Sequence, residues 1–250
     1  MDKKNIPRNL LNLQQQEKQF QFEVLHSINE SPDLALHVSL IERAMTLSRL
    51  LIMSPYEDDD FRIIKMLSIR VFNAFGASQL LLFSGYHQKS GMVMRDIIET
   101  VNLLDLFSSE PELIEQWRNA DDRQRKKKFS PAAIRKILDK RDGDTSRKRE
   151  KTYKMFSELA AHPNMHAQHM LKPYKSDQII TGPYMEGASL TAGLTEMARL
   201  ARQYGEVVDR LLPQEWNQEE SRESFRAANQ EWQNRYDKTP EISDKKGVTQ

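Results

Sequence analysis

Arg95, Glu99 and Asn102 form a narrow polar strip on a segment, 92–107, that is otherwise apolar on most sides. Spacings of i, i+4 and i+7 put all three on one face of a helix. A guanidinium can stabilise negative charge and a carboxylate can move a proton, so the strip is either a functional cleft or a structural ion pair that fixes helix register. A buried charge needs a partner, and Arg preceding Glu at this spacing is the less favourable local order. Some partners should therefore lie on another helix. The second candidate is His162, which ends the run Tyr153, Phe156, Ser157, Leu159 and is followed by Pro163. Proline disfavours helical geometry at the preceding residue, and an imidazolium there would interact well with the helix C-terminus. Ser157, Ala160 and Ala161 are small enough for another helix to come close.

His162, His166 and His169 fall within eight residues. No acidic ligand accompanies them, Pro163 interrupts the helix where their spacing begins, and no His-Glu-x-x-His pattern occurs, so no metal site is expected. The chain has no cysteine, which excludes disulfides, thiolate metal sites and a cysteine nucleophile. It also lacks a phosphate-binding glycine loop, a Gly-x-Ser-x-Gly elbow and a dinucleotide fingerprint, so no cofactor is expected.

A net charge of +1 hides an asymmetry: residues 118–154 hold 15 Lys or Arg against 6 Asp or Glu. Arg123, Arg125, Lys126, Lys127, Lys128, Arg135, Arg147, Lys148 and Arg149 are the candidates for a phosphate or nucleic-acid face, since clustered cations release condensed counterions. The alternative is a solvated segment, or one that docks on an acidic partner or on the chain's own Glu57–Asp60 run; aromatic side chains for base stacking are scarce here.

Nine glycines among 250 residues, abundant Leu, Gln, Glu, Lys and Arg, and no sustained strand-like alternation predict an all-α fold. Capping hydroxyls before prolines at Ser31-Pro32, Ser109-Glu110-Pro111 and Ser130-Pro131 mark helix starts. Helices are expected near 8–30, 33–53, 60–86, 90–108, 110–126, 131–139, 146–162, 187–212 and 215–236. The segment 171–186 breaks helical periodicity and is a long connection, with a short strand at 178–181 as one option. The architecture is then a multi-helix bundle with peripheral N- and C-terminal helices: an N-terminal helical segment over 1–55, a bundle core over 56–212, a C-terminal helix over 213–237 and a disordered tail over 238–250. Leu190, Leu194, Met197, Ala201, Tyr204, Val208 and Leu211 form a core-facing or partner-facing stripe. Trp216, Phe225, Trp232 and Tyr236 are aromatic anchors on an otherwise polar segment. Residues 1–7 lack the apolar core of a signal peptide, and the apolar run 71–86 is interrupted by polar residues, so a cytoplasmic location without membrane contact is expected.

The order of these features, Arg95 to Glu99 on an apolar helix, the basic helix from Phe129 to Arg135, then Tyr153 through Ser157 to His162-Pro163, resembles a family of bacterial all-helical proteins of unknown function. That family is distantly similar to HEPN domains, helical bundles frequent in toxin-antitoxin and phage-defence systems. The likeness covers about 63–171. It implies a ribonuclease in which four to six residues stand between an Arg and the following His, yet no Arg here has a His at that interval, and Thr100, Val101 or Asn102 stands in its place after Arg95-Asp96. A metal-independent endoribonuclease would need Arg95, Glu99 and His162 to meet in the fold, with His162 as general acid or base and Arg95 stabilising phosphate charge. No complete catalytic signature surrounds these residues. The leading expectation is a helical interaction or regulatory protein of a stress or defence system, with a protein partner or homo-oligomer. The ribonuclease and a non-catalytic nucleic-acid binder are its alternatives.

Overall fold

The computed structural model describes residues 7–163, 165–216 and 218–237. Among these described residues ten α-helices run in chain order: α1 (Arg8–Glu30), α2 (Pro32–Met53), α3 (Asp59–Phe83), α4 (His87–Ser109), α5 (Glu112–Asn119), α6 (Asp122–Lys128), α7 (Pro131–Asp142), α8 (Lys148–Phe156), α9 (Gly187–Leu211) and α10 (Glu219–Tyr236). Among the described residues there is no strand. The architecture is an all-α multi-helix bundle.

Helix starts follow local chemistry. Ser31 Oγ accepts from Leu34 N at 3.3 Å and Ser130 Oγ from Ala133 N at 3.3 Å, each with proline opening the first turn. The single helix expected over 110–126 is instead two. Asp121 and Gln124 close a reciprocal capping box, with Gln124 N donating at 2.7 Å and Asp121 N at 3.2 Å, and this starts a new helix just after Ala120. The helix expected over 146–162 also changes character: α8 ends at Phe156 and a π-helical turn, Ser157–Ala161, carries the chain to His162, whose N–H bonds Ser157 O at 2.9 Å. The optional strand at 178–181 does not form. Ile180 N makes one backbone bond to Leu171 O at 3.0 Å, which is no ladder.

Helix α4 is the axis of the bundle. Its apolar residues point in most directions, so it must be surrounded, and α3, α9, α7, α8 and the π turn all pack on it. Ile97, Leu104, Leu106 and Phe107 are fully buried there. Helix α2 lies along α9 and α10, and its Leu40, Leu47 and Leu51 are fully buried, each removal from water being worth about 1.5–3 kcal/mol. Over residues 7–55, α2 contributes nine buried residues to the core and α1 contributes Val24. Helix α10 buries Phe225, Ala228, Arg222 and Trp232 on one face and is otherwise open. The tail expected over 238–250 lies outside the described residues.

Helix α3 is long and apolar enough to cross a bilayer, but 44% of its most apolar window is buried inside the bundle. It runs against α4 through reciprocal serines, with Ser78 Oγ and Ser90 Oγ 2.8 Å apart. Between these helices Gly85 has φ +85°, and a Cβ there would stand 2.6 Å from Tyr184 O, so glycine is required on both counts.

Candidate functional site

Arg95 projects from α4 towards α8. Its Nη2 donates to Tyr153 Oη, and an ion pair of 3.1 Å joins it to Glu99. Asn102, lower on the same strip, accepts from Gln203 Nε2 on α9 at 3.2 Å. The strip therefore draws its long-range partners from two other helices. The Tyr153 ring holds two cations: the Arg95 guanidinium carbon is 4.8 Å from its centroid and that of Arg135, from α7, is 4.1 Å away. Both distances are within cation–π range.

His162 does not join this group. The contact of Gly91 with Ala160, where a Cβ on Gly91 would come to 3.0 Å, and the bond of Arg95 to Tyr153 show that α4 runs antiparallel to α8 and its π turn. His162 comes nine positions after Tyr153, so its backbone sits on the order of 10 Å further along that axis. Arg95 bonds Tyr153 and Glu99. Of the three residues named as a catalytic set, Arg95 and Glu99 are paired directly with each other. Among the described residues no three potential metal ligands gather in one place, and His162, His166 and His169 do not make such a group.

The basic segment also divides. Arg123, Arg125, Lys126, Lys127 and Lys128 are all exposed on α6, where Arg125 lies 5.7 Å from the Trp117 ring centroid and Lys128 Nζ 3.5 Å from Gln116 Oε1. Arg147 and Lys148 are exposed at the start of α8, with Arg147 paired to Glu150. Arg149 and Arg135, by contrast, are drawn in towards neighbouring helices, Arg149 half-buried and Arg135 buried. Arg149 is held by Asp139 at 2.9 Å and by Asp142. It belongs to a network centred on Asp105, a carboxylate of α4 whose side chain is 5% exposed. Arg141 grips Asp105 with two bonds of 3.1 and 3.0 Å, and Arg210 of α9 adds one of 2.7 Å. Bonding from Arg141, helped by Arg149, holds the neighbouring Asp142 carboxyl down at about 2. Here three arginines and three carboxylates fasten α4, α7, α8 and α9. Arg118 reaches the chain's own acidic run, meeting Asp59 at 2.7 Å and Asp60 at 3.5 Å.

Two buried histidines escaped the sequence reading. His37 of α2 accepts from Trp232 Nε1 at 2.8 Å through Nδ1, and its Nε2 lies 3.2 Å from Thr195 Oγ1. His87 donates from Nε2 to Tyr184 O at 3.0 Å, and its Nδ1 is buried without a partner. Burial pushes the pKa of each below 6.5. His87, Gly91, Met94, Phe156, Ala160 and Gly193 also border an apolar cavity of about 290 Å³.

An apolar stripe on α3 is open to solvent. Along α3, Arg62, Met66, Ile69, Asn73, Gly76 and Leu80 recur at alternating intervals of four and three residues, and Met66, Ile69 and Leu80 are 48%, 43% and 58% exposed. A Cβ at Gly76 would meet nothing within 4 Å. Compared with protein-family models, with curated proteins and with solved structures, the chain matches none.

Proposed function

We propose that the chain is a cytoplasmic helical interaction or regulatory protein of a bacterial stress or phage-defence system that works as an assembly of copies. The observation that carries this reading is the open face of α3. Its spacing is that of a coiled-coil seam, with Met66, Asn73 and Leu80 at one core position and Arg62, Ile69 and Gly76 at the other. Two copies laid antiparallel about a two-fold axis complement each other in size. Met66 of one fills the space over Gly76 of the second, Ile69 packs beside Asn73, and the Arg62 stem covers Leu80. Asn73 from each copy flanks the axis, where a polar residue fixes register at some cost in stability. An exposed apolar stripe on a rigid core helix is the kind of surface that marks an interface.

Sedimentation equilibrium of the wild type and of Ile69→Glu tests the reading. The wild type is expected at twice the 29.2 kDa chain mass and the variant, with unchanged helicity, at the chain mass. A wild type that stays at the chain mass at high concentration removes the proposal.

A second reading, contact with nucleic acid, is favoured by α6, where Arg123, Lys126 and Lys127 have no acidic partner among the described residues. It requires an affinity that falls steeply with salt and disappears when those three residues become Gln. The ribonuclease alternative has less support, because Arg95 spends its bonds on Tyr153 and Glu99.

A further inference from the structure

Arg135 is a buried cation without an anion. The residue is 9% exposed, its Nη1 has no hydrogen-bond partner, and no carboxylate pairs with it among the described residues. Its guanidinium carbon stacks on the face of Tyr153, 4.1 Å from the ring centroid. Stacking on a ring recovers only part of what a guanidinium loses on leaving water, and a buried charge left uncompensated is strongly destabilising. A fold that keeps such a group gains when an anion arrives.

The surroundings define that anion. Arg95, on the same ring, is already neutralised by Glu99 at 3.1 Å, so Arg95, Glu99 and Arg135 together carry a single positive charge. Tyr153 Oη accepts from Arg95, which leaves its own proton free to be donated. A guanidinium edge and a phenol proton suit the oxygens of a carboxylate or phosphate, and the near-complete burial of Arg135 admits a small molecule more readily than a polymer backbone. We infer that Arg135 and Tyr153 form a binding site for one small oxyanion, lodged between α4, α7 and α8.

The experiment is thermal unfolding at constant ionic strength in chloride, inorganic phosphate and acetate, with wild type and Arg135→Met. Saturable stabilisation of the wild type by phosphate or by acetate is expected, about 3–6 °C at ten times the Kd, and whichever salt gives it identifies the oxyanion class. Arg135→Met should show no saturable response and should melt above the wild type in chloride, because an unpaired buried charge has been replaced by an apolar chain of similar reach. Arg135→Gln serves the same comparison should the Met variant fail to fold. A wild type that responds saturably to neither salt overturns the inference, as does an equal response in the variants.

Discussion

Trp232 Nε1 donates to His37 Nδ1 at 2.8 Å across 195 residues of sequence, and this bond ties α10 to α2 in the core. It also fixes the tautomer. Nδ1 must be bare to accept, so Nε2 carries the proton and gives it to Thr195 Oγ1, whose own hydrogen goes to Thr191 O at 2.8 Å. Trp232→Phe keeps most of the ring volume but leaves a buried acceptor unpaired, so it should cost about 1–3 kcal/mol in urea unfolding. His37→Gln, which loses the same acceptor geometry, should not add to that loss in a double variant.

Acid should destabilise the protein before its carboxylates titrate. His37 and His87 are both held below 6.5 by burial, which for His37 outweighs the opposing pull of Asp33 and for His87 that of the bond to Tyr184 O. In the unfolded chain each binds a proton near 6.5, so protons favour unfolding as pH falls beneath that value. Stability is full above about pH 6.5 and declines from there towards the lower folded values. Unfolding midpoints between pH 8 and pH 5 would show this, and a His37→Gln, His87→Gln double variant should flatten the slope over that range.

Asp105→Ala should be among the most damaging single changes in the molecule. It strips the shared acceptor from Arg141, Arg149 and Arg210 and leaves crowded cations with too few carboxylates. Loss of one member of a buried ionic group costs about 3–5 kcal/mol. Arg210→Ala, at a side chain 51% exposed, should cost no more than about 1 kcal/mol by the same denaturation assay.

Gly205 lies where α9 meets α10, and a Cβ there would come within 2.2 Å of the Phe225 ring. Overpacking of this kind costs about 1–3 kcal/mol, against which the helix propensity of alanine returns about 1 kcal/mol. Gly205→Ala should therefore lower the melting temperature. Combining it with Phe225→Leu should recover part of the loss relative to the sum of the two single variants.

Much of the fold was legible because its signals are local. Capping serines before prolines placed the starts of α2 and α7, and the periodic apolar residues of α9, Leu190 to Val208, are buried as their spacing implied. The break between α5 and α6 was also written locally, in Asp121 and Gln124, but a capping box within a polar stretch competes with the helix propensity around it. The candidate site was legible only in part. The spacing of Arg95 and Glu99 announced a strip, yet nothing in the sequence ties Arg95 to Tyr153, 58 residues later. Arg135 resembled its surface neighbours in composition. Only the packing of α7 on α4 and α8 withdraws it from solvent, and the partners of Asp105 are likewise set by tertiary contacts.

The central claim, self-assembly along α3, is tested most directly by disulfide trapping, since the chain has no cysteine of its own. Ile69→Cys and Asn73→Cys proteins are mixed in equal amounts under mild oxidation and resolved on a non-reducing gel. The antiparallel seam brings these two positions face to face, so the mixture should form a disulfide-linked dimer containing one of each variant, faster than either variant alone. A mixture that cross-links no faster than the separate variants, or not at all, contradicts the account.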